Sequence, residues 1–359
     1  MGIGSFREEK LRPLKFDKMP TQFQINDPSL ESQWRAIILF GKNSATYKFA
    51  FAKAIIELLA LSKSSLSLEE LAVPFSRNIV EHLRKSDKQG NSSSSKFLNT
   101  CRDFIAGRIS EDQLIQTTVK LGFVNVVDAF QNVNGDIIND PFFQKNYSDG
   151  RKEIVLTDNI FKLQETLQFV NFEQEVDARW DLVETAWNLQ INPNLLEVKH
   201  DSVRQELFID SFMRRIDITS VRDALNGYQK GKCFYSYQDI FVNKGAENIC
   251  EVDHFLPHLN KKAHTAESAN INGVWNLVLA DPKINSDKSS RVPHRRYLER
   301  LYNRNEFYIE SKHPLAETII NQTGKTKEKR RIFLQAQYNL ALSHSIHEWE
   351  PWIELPGNF

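Results

Sequence analysis

Two stretches decide how this chain is read. They are Cys250-Glu251-Val252-Asp253-His254-Phe255-Leu256-Pro257 and Trp275-Asn276-Leu277-Val278-Leu279-Ala280-Asp281-Pro282-Lys283-Ile284-Asn285-Ser286-Asp287-Lys288. The first predicts a strand over Ile249–Leu256, since it is short, apolar and β-favouring. Just upstream, Tyr235–Val242 suits another short strand, and Asn243-Lys244-Gly245 suits a turn between the two. The polar run Asp281–Ser290 predicts a loop leading into a helix. Two strands and a helix, with Asp253-His254 on the second strand and a polar asparagine near the helix, form a compact metal site.

The residue types suit phosphodiester hydrolysis. That reaction needs a nucleophilic water, neutralised phosphate charge and a stabilised leaving oxygen. A histidine such as His254 can take a proton from water near neutral pH. A hard divalent cation can bridge the phosphate and the leaving oxygen. Such an ion takes a few protein oxygens, which a carboxylate and an amide can supply.

The segment Cys233–Pro293 resembles an HNH nuclease domain of the ββα-metal type. The resemblance rests on Val252-Asp253-His254-Phe255-Leu256-Pro257, then Trp275-Asn276-Leu277-Val278-Leu279, then Asn285-Ser286-Asp287-Lys288-Ser289, in that order. It implies His254 as general base, Asp253 and Asn285 as ligands of Mg²⁺ (with Mn²⁺ able to substitute), and Asn276 as the amide that ties the loop backbone and orients His254. Neighbouring strand residues point to opposite faces. The family meets this by ending or distorting the strand at Asp253-His254, and Pro257 is consistent with such a break. Many members also carry two C-x-x-C pairs around a structural zinc. Here the corresponding positions hold Cys233, Ser236, Asp281 and Ile284, and a tetrahedral zinc needs four good ligands. The expectation is no structural zinc, with Phe234, Tyr235, Phe255, Trp275 and Leu277 packing in its place. His258, His264 and His294 have no position in the motif.

After the motif the chain turns basic. Lys283, Lys288, Arg291, Arg295, Arg296, Arg300 and Arg304 face only Asp287 and Glu299 between residues 283 and 304, a local net charge of +5. Arg296, Arg300 and Arg304 recur every four residues and would line one helical face, with Leu298, Leu301 and Tyr302 free to pack inward. Beside a nuclease motif, Lys283, Lys288, Arg291, Arg296, Arg300 and Arg304 are candidate DNA contacts. The bland alternative is a solvated helix. Lys325–Arg331 reads as a solvated helix start.

Elsewhere the signals are mostly helical. The first 30 or so residues read as an extended, proline-containing arm. Asn43-Ser44 can cap a helix with Tyr47, Phe51, Ile55, Leu58 and Leu59 on its face. Phe40-Gly41-Lys42-Asn43-Ser44 lacks the first glycine of a phosphate loop and is rejected as one. Asp87–Lys96 is a low-complexity loop, and Ser110 with Gln113 makes a capping box. Val133-Asn134-Gly135 and Asp149-Gly150 are turns, and Glu153–Leu156 is a possible strand. Phe172–Trp187 is an amphipathic helix whose tryptophans belong to a core. A further helical region spans Ser202–Gln229.

The chain has 359 residues, with 46 basic and 46 acidic side chains. Zero net charge argues against a uniformly basic coat protein but leaves room for a basic patch. No apolar run reaches membrane-span length, and the charged N-terminus has no secretory core. Three cysteines make no disulfide framework, so a reduced, cytoplasmic protein without membrane insertion is expected. The expected fold is α+β, mostly α. A helical domain over 1–205 would serve recognition, regulation or partner docking; the HNH module would occupy 206–305, and a helical extension 306–359. The expected function is a metal-dependent endonuclease that nicks or cleaves DNA. The single-chain layout is similar to bacterial anti-phage HNH effectors, the HNH component of type II Zorya among them, which implies other defence-system proteins as partners. Alternatives are a restriction-type or toxin nuclease, or a catalytically silent DNA-binding module.

Overall fold

The computed structural model describes residues 24–25, 27–40, 45–90, 95–133, 135–148, 150–188, 199–201, 206–211, 214–243, 245–246, 248–257, 269–310, 315–345 and 347–359. Helix outweighs strand among them, so the fold class is α+β and mostly α. Most of the expected N-terminal arm lies outside the described residues, as do residues 41–44 and 91–94, Asn134, Asp149, Lys244, His258 and His264.

The first half runs α1 (Leu30–Leu39), α2 (Tyr47–Leu58), β1 (Ser65–Ser67), α3 (Leu68–Lys85), α4 (Lys96–Ile105), α5 (Glu111–Thr117) and α6 (Val126–Ala129). It continues through the hairpin β2 (Asn132–Val133) and β3 (Asp136–Ile137), then β4 (Phe143–Asn146), β5 (Glu153–Leu156), α7 (Asp158–Gln164) and α8 (Phe172–Asn188). Local chemistry sets several of these starts. Ser67 with Glu70, and Ser110 with Gln113, form reciprocal capping boxes at α3 and α5. Strand β5 falls where the sequence placed it, between β1 and β4 in an antiparallel sheet. The carbonyls at the C-terminal end of α1 are met by half-buried Lys48, whose Nζ donates to Ile38 O and Phe40 O, and by buried Arg179, whose Nη2 donates to Leu39 O.

Helix α8 serves two cores. Phe172, Val176, Trp180, Val183 and Trp187 pack into the first, with Trp34, Phe51 and Phe75. Leu182 and Ala186 pack into the second, which holds most of the remaining chain. The stripe read from the sequence is therefore one of two buried faces. At the join, Glu175 takes a two-pronged ion pair from Arg35 (2.8 Å to each oxygen) and a bond from Asn226 Nδ2 (2.7 Å).

The second half corrects the expectation of helix from Ser202. The chain forms an antiparallel sheet of β6 (Lys199–Asp201), β7 (Glu206–Ser211) and β8 (Arg214–Ser220), and helix starts only at α9 (Val221–Gln229). Ile216, Ile218 and Thr219 are β-branched, and their preference for strand outweighs the looser helical spacing. Next come β9 (Glu251–His254), β10 (Leu277–Ala280), α10 (Pro282–Lys288), β11 (Val292–Pro293), α11 (Arg295–Glu310), α12 (Ala316–Thr323), α13 (Lys327–Ser343) and β12 (Glu348–Trp349). Tyr235–Val242 is not a regular strand. Its backbone turns back on itself, with Tyr237 at φ +56° in the left-handed region, and only isolated bridges such as Phe241 to Ile249 remain. Asp281–Ser290 is itself a helix rather than a loop before one. Asp281 Oδ1 accepts from Lys283 N (2.8 Å) and Ile284 N (3.2 Å), Pro282 sits in the first turn, and buried Ile284 anchors it.

The last residues close over this region. Strand β12 pairs in parallel with β11, Trp349 Nε1 donates to Asp287 Oδ2 (2.8 Å), and Phe359 packs on Phe234, Tyr228 and Tyr237.

Candidate functional site

Strands β9 and β10 pair antiparallel, with His254 opposite Leu277 and Asp253 opposite Val278, and the chain passes directly into α10. Pairing stays regular through His254; the bend comes only at Phe255. The two side chains therefore leave opposite faces of β9, as the pleat requires. This corrects the expectation of a strand broken between them.

The Asp253 carboxylate points inward and is 8% exposed. Tyr235 Oη donates to its Oδ2 at 2.6 Å, and Lys288 Nζ lies 3.0 Å from its Oδ1. Burial pushes the Asp253 carboxyl above the usual range, while Lys288 and the Tyr235 hydroxyl pull it back down. Lys288 is itself fully buried and also donates to His254 O at 2.9 Å. Its assignment as a DNA contact is thus overturned: its ammonium is the internal counter-ion of Asp253. The i, i+3 spacing of Asn285 and Lys288 carries both toward β9.

Asn285 is half-buried, and its Nδ2 donates to Glu251 Oε2 at 2.7 Å. Glu251 sits two residues before Asp253, hence on the same face of β9. It was missed in the sequence, although strand period alone would have pointed to it. On the other face, His254 Nε2 lies 3.1 Å from Asn272 Oδ1. With Asn272 Oδ1 as acceptor, the contact calls for the tautomer that carries its proton on Nε2. Asn272 carried no sequence signal.

Asn276 is fully buried and holds the turn that follows His254. Its Oδ1 accepts from Leu256 N (2.8 Å), and its Nδ2 donates to Ile271 O (2.9 Å) and Leu256 O (3.1 Å). Its own carbonyl accepts from Phe255 N (2.8 Å). Replacing Asn276 with Ala should lower stability by about 2–4 kcal/mol in urea unfolding, because several buried backbone groups lose their partner. A cost below about 1 kcal/mol would show that water or a shifted loop replaces the amide.

The positions of the absent zinc thiols are filled by other roles. Cys233 Sγ accepts from Asp281 N at 3.3 Å, Asp281 caps α10, and Ile284 is core. Phe234, Tyr235, Phe255, Trp275 and Leu277 are all fully buried around them.

Most of the basic stripe faces protein rather than solvent. Arg304 is fully buried and donates to Leu277 O (2.7 Å), Trp275 O (2.9 Å) and Val274 O (3.3 Å). Arg300 stacks over Tyr237 (4.2 Å), donates to Phe234 O (2.6 Å) and pairs with Glu354 (2.7 Å). Arg296, half exposed, pairs with Glu354 at 2.7 Å, and His294 lies 3.4 Å from Glu350. The acidic C-terminal segment thus neutralises the run that looked basic in the sequence. Arg304 and Arg300 are removed from the candidate DNA contacts, and Arg296 is spent on an ion pair. Lys283 on α10 and Arg291, three residues past its end, remain exposed, Arg291 beside Asp287 at 3.2 Å. In the second basic run, Arg330 is buried against Glu306 (2.5 Å) rather than solvated. Replacing Arg304 with Met should cost about 2–4 kcal/mol, since buried carbonyls are left without donors. It should leave the salt dependence of any DNA binding unchanged. A slope flatter by about 0.9 with no loss of stability would restore Arg304 as a phosphate contact.

No family model, curated protein or solved structure matches this chain. No described helix is long and apolar enough to cross a membrane.

Proposed function

We propose that this chain is a metal-dependent endonuclease that nicks or cleaves DNA, with β9, β10 and α10 as its catalytic unit. The observation that supports this best is the junction itself. His254 stands at the end of β9, the Asn276 amide bonds the backbone just beyond it, and the next helix brings Asn285 to the same strand. His254 acts as the base: Nδ1 takes a proton from water while Asn272 holds Nε2. Lys283 and Arg291 meet the phosphate backbone.

The donor set is the oxygen-rich kind that a hard cation takes, since Asp253, Glu251 and Asn285 lie toward one face of β9. Magnesium, when bound, would neutralise the scissile phosphate and the leaving oxygen. Asn285 and Glu251 offer half-buried oxygens to it, and Mn²⁺ fits the same donors. Asp253 joins them only by giving up Lys288.

The ion pair between Asp253 and Lys288, and the place of His254 on the opposite face of β9 from the metal donors, favour a second reading, a catalytically silent DNA-binding module. Conversion of supercoiled plasmid to open circles, with Mg²⁺, with Mn²⁺ and with chelator, separates the two. Nicking that needs the metal is expected. DNA binding without nicking in either metal would establish the silent module. We further infer an effector role in bacterial anti-phage defence, acting with other proteins of that system. A restriction-type or toxin enzyme would instead sit beside a methyltransferase or an immunity gene.

A further inference from the structure

The first core brings three metal-ligating side chains to one point, far from β9 in sequence. His82 on the last turn of α3, and Asp181 and Glu184 on α8, each place one ligand atom within 4.8 Å of the others. The i, i+3 spacing puts the two carboxylates on the same side of α8. The imidazole is held flat on Trp180, ring centres 3.6 Å apart, with Nδ1 2.7 Å from Glu184 Oε1. Gln89 Nε2 donates to the same oxygen. Gln89 is fixed in turn through its Oε1, which accepts from Thr46 (2.8 Å) and Trp180 Nε1 (2.9 Å). The Asp181 carboxylate is engaged by no hydrogen bond or ion pair among the described residues.

Charge points the same way. Lys53, the nearest cation on α2, is spent on Asp177 (2.7 Å) and Glu173 (3.6 Å). Lys85 is exposed, and Glu81 and Asp177 add negative charge around the cluster. Burial pushes Asp181 up to about 7 and Glu184 up to about 8, and pushes His82 down to about 4. One buried and one half-buried carboxyl beside a neutral imidazole thus face no paired lysine or arginine among the described residues.

We propose that His82, Asp181 and Glu184 bind one divalent transition-metal ion of the zinc or manganese class, which pins α3 to α8. One imidazole nitrogen with two carboxylate oxygens suits these borderline ions, whereas magnesium prefers oxygen throughout. Zinc bonds of about 2.0–2.1 Å would bring ligand atoms to roughly 3.4 Å from each other. The unengaged Asp181 can supply that closing by side-chain rotation. Water fills the remaining position.

The test uses the full chain, stripped with chelator and desalted, then titrated with Zn²⁺ or Co²⁺ in a Mg²⁺ buffer that fills the oxygen donors on β9. One equivalent should bind, with visible Co²⁺ bands from nitrogen and oxygen ligation. The thermal midpoint should rise by roughly 3–8 °C at a hundredfold excess over Kd. Asp181→Asn and Glu184→Gln should each abolish both signals. Because each amide is nearly isosteric with the carboxyl it replaces and carries no charge, their metal-free midpoints should stay close to wild type. Asp253→Asn, in the other core, should keep both signals, which separates this site from the nuclease reading. His82→Gln serves as a third variant should either isostere fold poorly. The proposal is overturned if wild type takes up no ion. It is equally overturned if the folded variants give the wild-type Co²⁺ spectrum and thermal shift.

Discussion

Replacing His254 with Ala should reduce plasmid nicking by about 10²–10⁴-fold while leaving the thermal midpoint close to wild type. The magnitude is that of a lost general base. The mild effect on folding follows from the side chain's position. His254 is only partly buried, and its ring bonds to Asn272 on the loop side of β9. Its backbone, which pairs with Leu277 and accepts from Lys288, survives the substitution. Asn272→Ala should give a smaller loss, with the pH optimum shifted, because the base remains but its tautomer is no longer held. Cleavage by His254→Ala within tenfold of wild type would remove His254 from the role of base. A large fall in the melting point would assign it to structure instead.

Replacing Lys288 with Met should destabilise the chain by about 3–5 kcal/mol, the usual cost of leaving one member of a buried ion pair alone. Asp253 would keep the Tyr235 hydroxyl but lose the ammonium that balances its charge, in a place where water does not reach. The double variant Lys288→Met, Asp253→Asn should recover most of that loss, since an amide still accepts from Tyr235 and carries no charge. Urea unfolding of the two single variants and the double variant measures the coupling directly. Additive costs, with no recovery in the double variant, would mean that the two groups do not depend on each other. Lys288 would then again be open to a role at the phosphate backbone.

Much of the local structure was legible because it depends on neighbours in sequence. The capping box at Ser110, the β5 strand, the α8 stripe, and a strand carrying Asp253-His254 all rest on spacings of two to four residues. The bond from Asn276 to the backbone beyond His254 spans 20 residues and was expected only from the family resemblance. Some errors were also local. β-Branched residues between 214 and 220 override a helical reading, and Tyr237 in the left-handed region ends a strand that the composition favoured.

Charge is where sequence reading runs out. The run from Lys283 to Arg304 is basic as written, yet Lys288 is matched by Asp253, Arg300 by Glu354, and Arg304 by backbone carbonyls of Leu277 and Trp275. Those partners lie 27 to 54 residues away, and no local pattern announces them. The same holds for His82, 102 residues from Glu184. The sequence by itself determined many of the elements and singled out Asp253, His254, Asn276 and Asn285 as residues able to do chemistry. Only the tertiary structure decided which charges are spent inside the protein, because a Coulomb partner is chosen by distance and burial after packing.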